Sequence, residues 1–356
     1  MSSYSLPFDK NPPYKAYLET AFALGILGAG LDVRNVLSLY YLNLAAPAPA
    51  AAEAPGACQL FIMPWNTLQR FCTYGYLRAL RPTPDLRGED PDSIVEWVIG
   101  TLARGAYVYA TVNEFFIPGT RSNANREPYT HPCLITACRE AEQAFTVHTY
   151  LFDGTFGSTA VSYSQWAQAF TQRGDRSRMS DTHFYEPVLY GVARARTPFG
   201  LEMFDRLAVA KSLANYVNCR FDKYEGCEQE VYGTNAVEMF LERTVAAAGE
   251  GNAVDLRATR TLMEHRRIMM LTLEHAQAQA AIKDRERIER AFRALESWAR
   301  MLHLLAYTYE SKRSVARGRL RERQFVRHLR DAGRMLRMDK RASTDFISAL
   351  EPSVNG

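Results

Sequence analysis

The chain has 356 residues, of which 47% are hydrophobic and 23% charged, with a formal net charge of +4. This is the composition of a globular protein of one large or two ordinary domains; it excludes wholesale disorder, and so small a net charge names no partner. The best apolar run, Ala21 to Ala29, is too short to span a bilayer and is followed by Asp32 and Arg34, so no membrane association is expected. Met1 to Pro7 lacks the basic region and apolar core of a secretion signal, so a cytoplasmic protein is expected, with its six cysteines as free thiols. No two form a CxxC pair. Cys133 and Cys138 are five apart on one expected strand and point to opposite faces, so neither a metal site nor a cofactor is expected.

In chain order, Asn11-Pro12-Pro13 leads into a helix from about Tyr14. Its residues Tyr17, Leu18, Ala21, Phe22, Leu24 and Ile26 are apolar round much of the circumference, which predicts burial. A second helix is expected over Val33 to Leu44. The Ala/Pro/Glu-rich stretch 45–56 reads as a flexible loop. A short strand over 60–63, a short helix over 66–76 and a Pro- and charge-rich loop over 81–92 follow. Asp92-Ser93 caps a helix from Ile94 to Ala103 that ends at Arg104-Gly105.

Gly105 to Phe156 holds three runs rich in β-branched and aromatic residues, separated by turn chemistry, and reads as three strands. A helix over Gln165 to Phe170 is expected with Ser164 as cap. From about Leu201 the pattern is helical: Leu201 to Val217, Ala236 to Ala247, Asp255 to Ala281, Arg285 to Glu310 and Arg317 to Leu336. The expected fold class is therefore α+β, with a mixed domain over 1–198 containing an antiparallel sheet and an all-helical region over 199–345; Pro198 and Gly200 mark the boundary.

The segment Lys283 to Arg341 carries eighteen Lys or Arg against eight Asp or Glu, so the rest of the chain is mildly acidic. A solvated helix face explains this, and so does a docking surface for an acidic partner, with Arg317, Arg321 and Arg327 among its residues. The segment matches no nucleic-acid-binding module, and no nucleic acid is expected.

His131 opens the second strand of the central stretch and Asp153 closes the third, an arrangement that sets an imidazole beside a carboxylate. In cysteine-dependent acyl-transfer enzymes of the papain type, a thiol at a helix N-terminus is followed along the chain by a histidine on a strand and a polar residue that orients it. The chain order here accommodates that plan, with the helix near residue 14, then His131, then Asp153. Asp153-Gly154 is also strong turn chemistry. Asn113 and Glu114, at the end of the first strand, are positioned to line the same cleft. His148 reads as a strand-face residue. Arg257 and His265 on a later helix either reach the cleft or pack between helices, and Glu264-His265 lacks zinc-site spacing.

The run from Asp92 to Phe170 resembles the N-terminal domain of the butirosin biosynthesis protein H family, a papain-like, cysteine-peptidase-fold family of antibiotic and nonribosomal-peptide gene clusters. The matching residues are the helix ending in Arg104-Gly105, the strand Val108 to Asn113 with Phe115-Phe116-Ile117-Pro118, the Tyr129-Thr130-His131 signature, the hairpin, and Ser162-Tyr163-Ser164-Gln165-Trp166. Asp255-Leu256-Arg257, Glu264-His265-Arg266 and Met269-Met270 resemble the helical tail of such proteins. The resemblance implies transfer of an acyl group from an acyl or peptidyl carrier protein's thioester to a small-molecule amine through an acyl-cysteine. It implies His131 as base and then acid, Asp153 orienting it, and Tyr129 at the cleft.

One position departs from the family pattern. The family's cysteine opens the first helix, where this chain has Pro13-Tyr14-Lys15-Ala16-Tyr17, and Ala16 occupies the nucleophile position. An alanine has no atom that attacks a thioester. The readings left open are an inactive or differently equipped acyltransferase, a non-catalytic binding or scaffold protein retaining the fold, and a peptidase or amidase using Cys58, Cys72 or Cys133.

Overall fold

The computed structural model describes residues 3–48, 59–63, 76–80, 90–172, 189–194, 204–220, 230–279, 282, 284–313, 325–329 and 331–350. In chain order the elements are β1 (Ser3–Ser5), α1 (Leu18–Gly28), α2 (Arg34–Tyr40), β2 (Asn43–Pro47), β3 (Phe61–Met63), β4 (Leu77–Leu80) and α3 (Pro91–Ala103). Then come β5 (Tyr107–Asn113), α4 (Arg121–Asn125), β6 (Thr130–Arg139), β7 (Ala144–Tyr150), β8 (Phe156–Ser162), α5 (Tyr163–Thr171) and β9 (Leu189–Arg194). The remainder is α6 (Arg206–Val217), β10 (Glu230–Tyr232), α7 (Gly233–Gly249), α8 (Leu256–Gln279), α9 (Arg285–Arg313) and α10 (Ala332–Leu350). The chain is α+β and splits into two units: Met1–Asp32 with Asn66–Phe199, and Val33–Trp65 with Gly200–Gly356.

The first unit is built on an antiparallel sheet ordered β4-β9-β5-β6-β7-β8, with β1 pairing the far half of β6. All seven residues of β5 are buried, so the sheet is covered on both faces at its centre. One face carries Val108, Ala110, Val112, Cys133, Ile135, Phe145 and Val147, and packs on Ile94, Val98 and Leu102 of α3 and Trp166 and Phe170 of α5. The other face carries Tyr109 and Phe156, against which Phe22 of α1 sets its ring at 6.3 and 6.1 Å. Burying a Phe or Leu side chain stabilises by about 1.5–3 kcal/mol, and each of these two interfaces buries several.

Helix α1 is buried round nearly all of its circumference. It packs so closely against the N-terminal segment that a Cβ on Gly25 would overlap the Phe8 ring. Pro91 opens α3, where its missing N–H costs nothing, and Gly105, at φ 76°, closes it. The cap of α5 is Ser162, not Ser164: the Ser162 hydroxyl accepts from Gln165 N while the Gln165 side chain accepts from Ser162 N. The cap falls two residues before the expected one because β8 runs directly into the helix.

The second unit is helical, with a small antiparallel ribbon ordered β10-β2-β3. The expected helix over Val33 to Leu44 stops at Tyr40, and Asn43–Pro47, the end of that expected helix and the start of the expected Ala/Pro loop, is a strand. Pairing on both sides, with β3 and β10, overrides a composition poor in strand formers. Strands β4 and β9, which pair with each other, were likewise not foreseen. Residues 49–56 of the expected loop, and the expected helix over 66–76 except its last residue, lie outside the described residues. Where a last helix was expected over Arg317 to Leu336, 314–324 lie outside the described residues and α10 runs on to Leu350.

Helices α6, α8 and α10 meet around a buried polar cluster. Arg266 and Asp339 are ion-paired at 2.9 Å with side chains 3% and 0% exposed, and Tyr216 donates to Asp339 Oδ2 at 2.5 Å. No helix among the described residues is long and apolar enough to cross a membrane.

Candidate functional site

The end of β5 and the start of β6 are antiparallel neighbours, with Asn113 opposite Thr130 and Val112 opposite His131. That register brings the residue after β5, Glu114, to the imidazole: Glu114 Oε1 lies 2.9 Å from His131 Nδ1. The same oxygen accepts a hydrogen bond from Thr149 Oγ1 at 2.7 Å. Glu114 is buried and His131 is half-buried.

The carboxylate is held by its own backbone as well. Glu114 N donates to Tyr129 O at 2.8 Å, and Glu114 O accepts from Thr120 Oγ1 at 3.0 Å and from Ile117 N at 3.0 Å. Asn113 Oδ1 ties the two strand ends together by accepting from Phe115 N at 3.1 Å and Tyr129 N at 3.3 Å. Asn113 is thus a brace for the site.

An ionised carboxylate only accepts, so His131 Nδ1 carries the proton toward Glu114. Nε2 is then the proton-free nitrogen of the neutral ring, and among the described residues it makes no hydrogen bond. An imidazole held this way can serve as a general base. Two aromatic rings flank the imidazole: Tyr129 at 5.3 Å and Tyr150 at 5.9 Å between centroids.

Tyr150 also links the imidazole to the segment that precedes α1. Its hydroxyl donates to Lys15 O at 2.6 Å, one residue before Ala16. Ala16 is buried immediately before Tyr17, the N-cap of α1. The expected helix-start position and the imidazole are therefore joined through one side chain, but Ala16 brings only a methyl group.

Asp153 does not orient His131. Its Oδ1 accepts from Thr155 N at 2.9 Å and Thr155 Oγ1 at 2.7 Å, and these bonds hold its carboxyl below the usual carboxylate range. The side chain is exposed and closes the β7–β8 turn, with Gly154 at φ 75°. The Asp-Gly pair is turn chemistry, and the carboxylate that meets His131 is Glu114, across the β5–β6 pair.

The remaining expected residues are dispersed. His265 is fully buried in the helical unit, where Nε2 meets Leu42 O at 3.1 Å and burial pushes the imidazole down to about 3. It is a core residue and not a cleft residue. Arg257, at the start of α8, is exposed and pairs with Asp255 at 3.7 Å. Arg327 is exposed, and Arg317 and Arg321 lie outside the described residues.

Of the three thiols expected as substitutes, only Cys133 falls among the described residues. Cys133 is buried opposite Ala110, and burial, with the Glu114 charge adding to it, pushes its thiol well up. Cys58 and Cys72 lie outside the described residues. His148 is buried with Nε2 3.1 Å from Thr136 Oγ1, and burial pushes it down to about 4. Among the described residues no group of three His, Cys, Asp or Glu side chains could hold a metal ion.

No protein-family model matches the chain, and no curated protein sequence matches it.

Proposed function

We propose that the first unit has a papain-like fold and transfers an acyl group from a thioester, presented by an acyl or peptidyl carrier protein, to a small-molecule amine. The observation that carries this reading is the Glu114 carboxylate on His131 Nδ1 at 2.9 Å, which leaves Nε2 to accept a proton. With Ala16 where the resemblance would have cysteine, the acceptor is activated directly. His131 Nε2 takes a proton from the amine as its nitrogen bonds to the thioester carbonyl carbon. The tetrahedral adduct then expels the thiolate, which takes that proton back from the imidazolium. Buried Glu114 stabilises the intervening imidazolium charge. Setting amine and thioester side by side accounts for the rest of the acceleration. The carrier is acidic and docks on the basic helices of the second unit, where Arg327, Arg337 and Arg341 are exposed; such charges chiefly set encounter rate and salt dependence. The setting is specialised-metabolite synthesis in the cytoplasm.

A second reading, a binding protein that has kept the fold and lost the chemistry, is favoured by Ala16 and by the inert thiol of Cys133. An N-acetylcysteamine thioester with hydroxylamine as the amine separates the two. Direct transfer yields hydroxamate that depends on His131, with no mass gain on the intact protein. Hydroxamate at the same rate with His131→Ala favours the binding protein. A thioester-dependent mass gain at a cysteine favours the thiol-dependent peptidase or amidase.

A further inference from the structure

We infer that the group delivered to His131 is planar and aromatic, recognised by Tyr129 and Phe152. This rests on the acyl-transfer reading and names its substrate class. Among the described residues of the first unit, the large apolar side chains left exposed are these two, at 39% and 59%. Both stand at the His131 end of the sheet: Tyr129 directly precedes β6, and Phe152 follows β7 by two residues.

Neither ring rides on a loose loop. Tyr129 is fixed through Asn113 and Glu114, as described above. Phe152 N donates to Gly119 O at 2.7 Å, while Leu151 N donates to Thr155 O at 2.8 Å and Gly154 N to Leu151 O at 2.8 Å. Gly119 belongs in turn to the loop that Thr120 pins to Glu114 O and Ile117 O. The backbone bonds that fix Glu114 therefore belong to the same network that tethers the main chain at both exposed rings.

Tyr129 already gives part of its ring to the imidazole at 5.3 Å, and Tyr150 lines the site at 5.9 Å. Exposed rings held on fixed backbone favour a rigid planar ligand, because offset and edge-to-face ring contacts add to simple apolar burial. A flexible alkyl chain gains only the burial and loses rotamer freedom on binding.

The test is calorimetric titration of the full chain, without amine, using benzoyl- and hexanoyl-N-acetylcysteamine. The benzoyl thioester binds about tenfold more tightly, and Tyr129→Ala and Phe152→Ala each cut that preference by about threefold or more. Equal affinities, or a preference untouched by both substitutions, overturn the inference. If hydroxamate still forms from both thioesters at equal rates, the aromatic specificity fails and the acyl-transfer reading stands. If neither thioester binds and neither turns over, both fail.

Discussion

The buried cluster of the helical unit gives a sharp test of how that unit is held together. Arg266 lies between α6 and α10, with Nη1 3.0 Å from Asp339 Oδ1, Nη2 2.9 Å from Asp339 Oδ2 and Nη1 2.9 Å from Tyr216 Oη. Arg266 Nε has no hydrogen-bond partner among the described residues, so the guanidinium depends on Asp339 for its compensation. Asp339→Ala leaves a buried cation without a counter-charge, at a cost of about 3–5 kcal/mol. Arg266→Met with Asp339→Leu removes both charges and leaves only the buried Tyr216 hydroxyl without these partners, at about 1–3 kcal/mol, so the double variant is expected to recover much of the loss. Urea unfolding followed by helical circular dichroism reads this directly. With a slope of about 2 kcal/mol/M, the midpoint for Asp339→Ala falls by about 2 M. A fall of less than about 0.5 M, or a double variant as unstable as the single one, would refute the argument.

Three further outcomes follow from the same contacts. His265 and His148 have folded values near 3 and 4, below an unfolded value of about 6.5, so between these limits the unfolded chain binds the extra protons. Stability is therefore full above pH ~6.5 and falls with acidification, by up to about 1.4 kcal/mol per pH unit for each histidine, down to about pH 4 for His148 and pH 3 for His265. Replacing both by Gln should flatten urea midpoints measured from pH 7 to 4.5, and an unchanged slope would count against the burial argument. Ser162→Ala removes one half of the α5 capping box and should cost about 1 kcal/mol in a urea titration, whereas Ser164→Ala should cost less than about 0.5. Glu114→Gln keeps an acceptor near His131 Nδ1 but removes the charge; hydroxamate formation should fall about tenfold or more, less than the loss for His131→Ala.

The three central strands, the helix before them and the helical C-terminal region are legible from periodicity and turn chemistry, because strong alternation and Asp-Gly or Arg-Gly punctuation are local signals; that 33–65 groups with that region is not. Strands β2, β4 and β9 are not, since what makes them strands is pairing with partners distant in sequence: Ala45 opposite Phe61, Ala79 opposite Val192. The site shows the same division. His131 stands out at a strand start, and Asn113-Glu114 at the end of the preceding strand. That Glu114 and not Asp153 holds the imidazole depends on the β5–β6 register, which no short pattern contains. The antiparallel rule that the end of one strand faces the start of the next was the available signal for it. His265 misleads because a histidine on an amphipathic helix looks the same whether it faces a cleft or a core, and only the Leu42 carbonyl decides.

In the proposed reaction His131, oriented by Glu114, activates an amine against a thioester. The most direct measurement of this is the rate of hydroxamate formation by the native chain and by His131→Ala, with hydroxylamine and an acyl-N-acetylcysteamine thioester at fixed concentrations. The account predicts that the substitution lowers the rate by about 10²–10⁴-fold, the range of general-base catalysis, while the circular dichroism spectrum stays unchanged. Equal rates for the two proteins would contradict it.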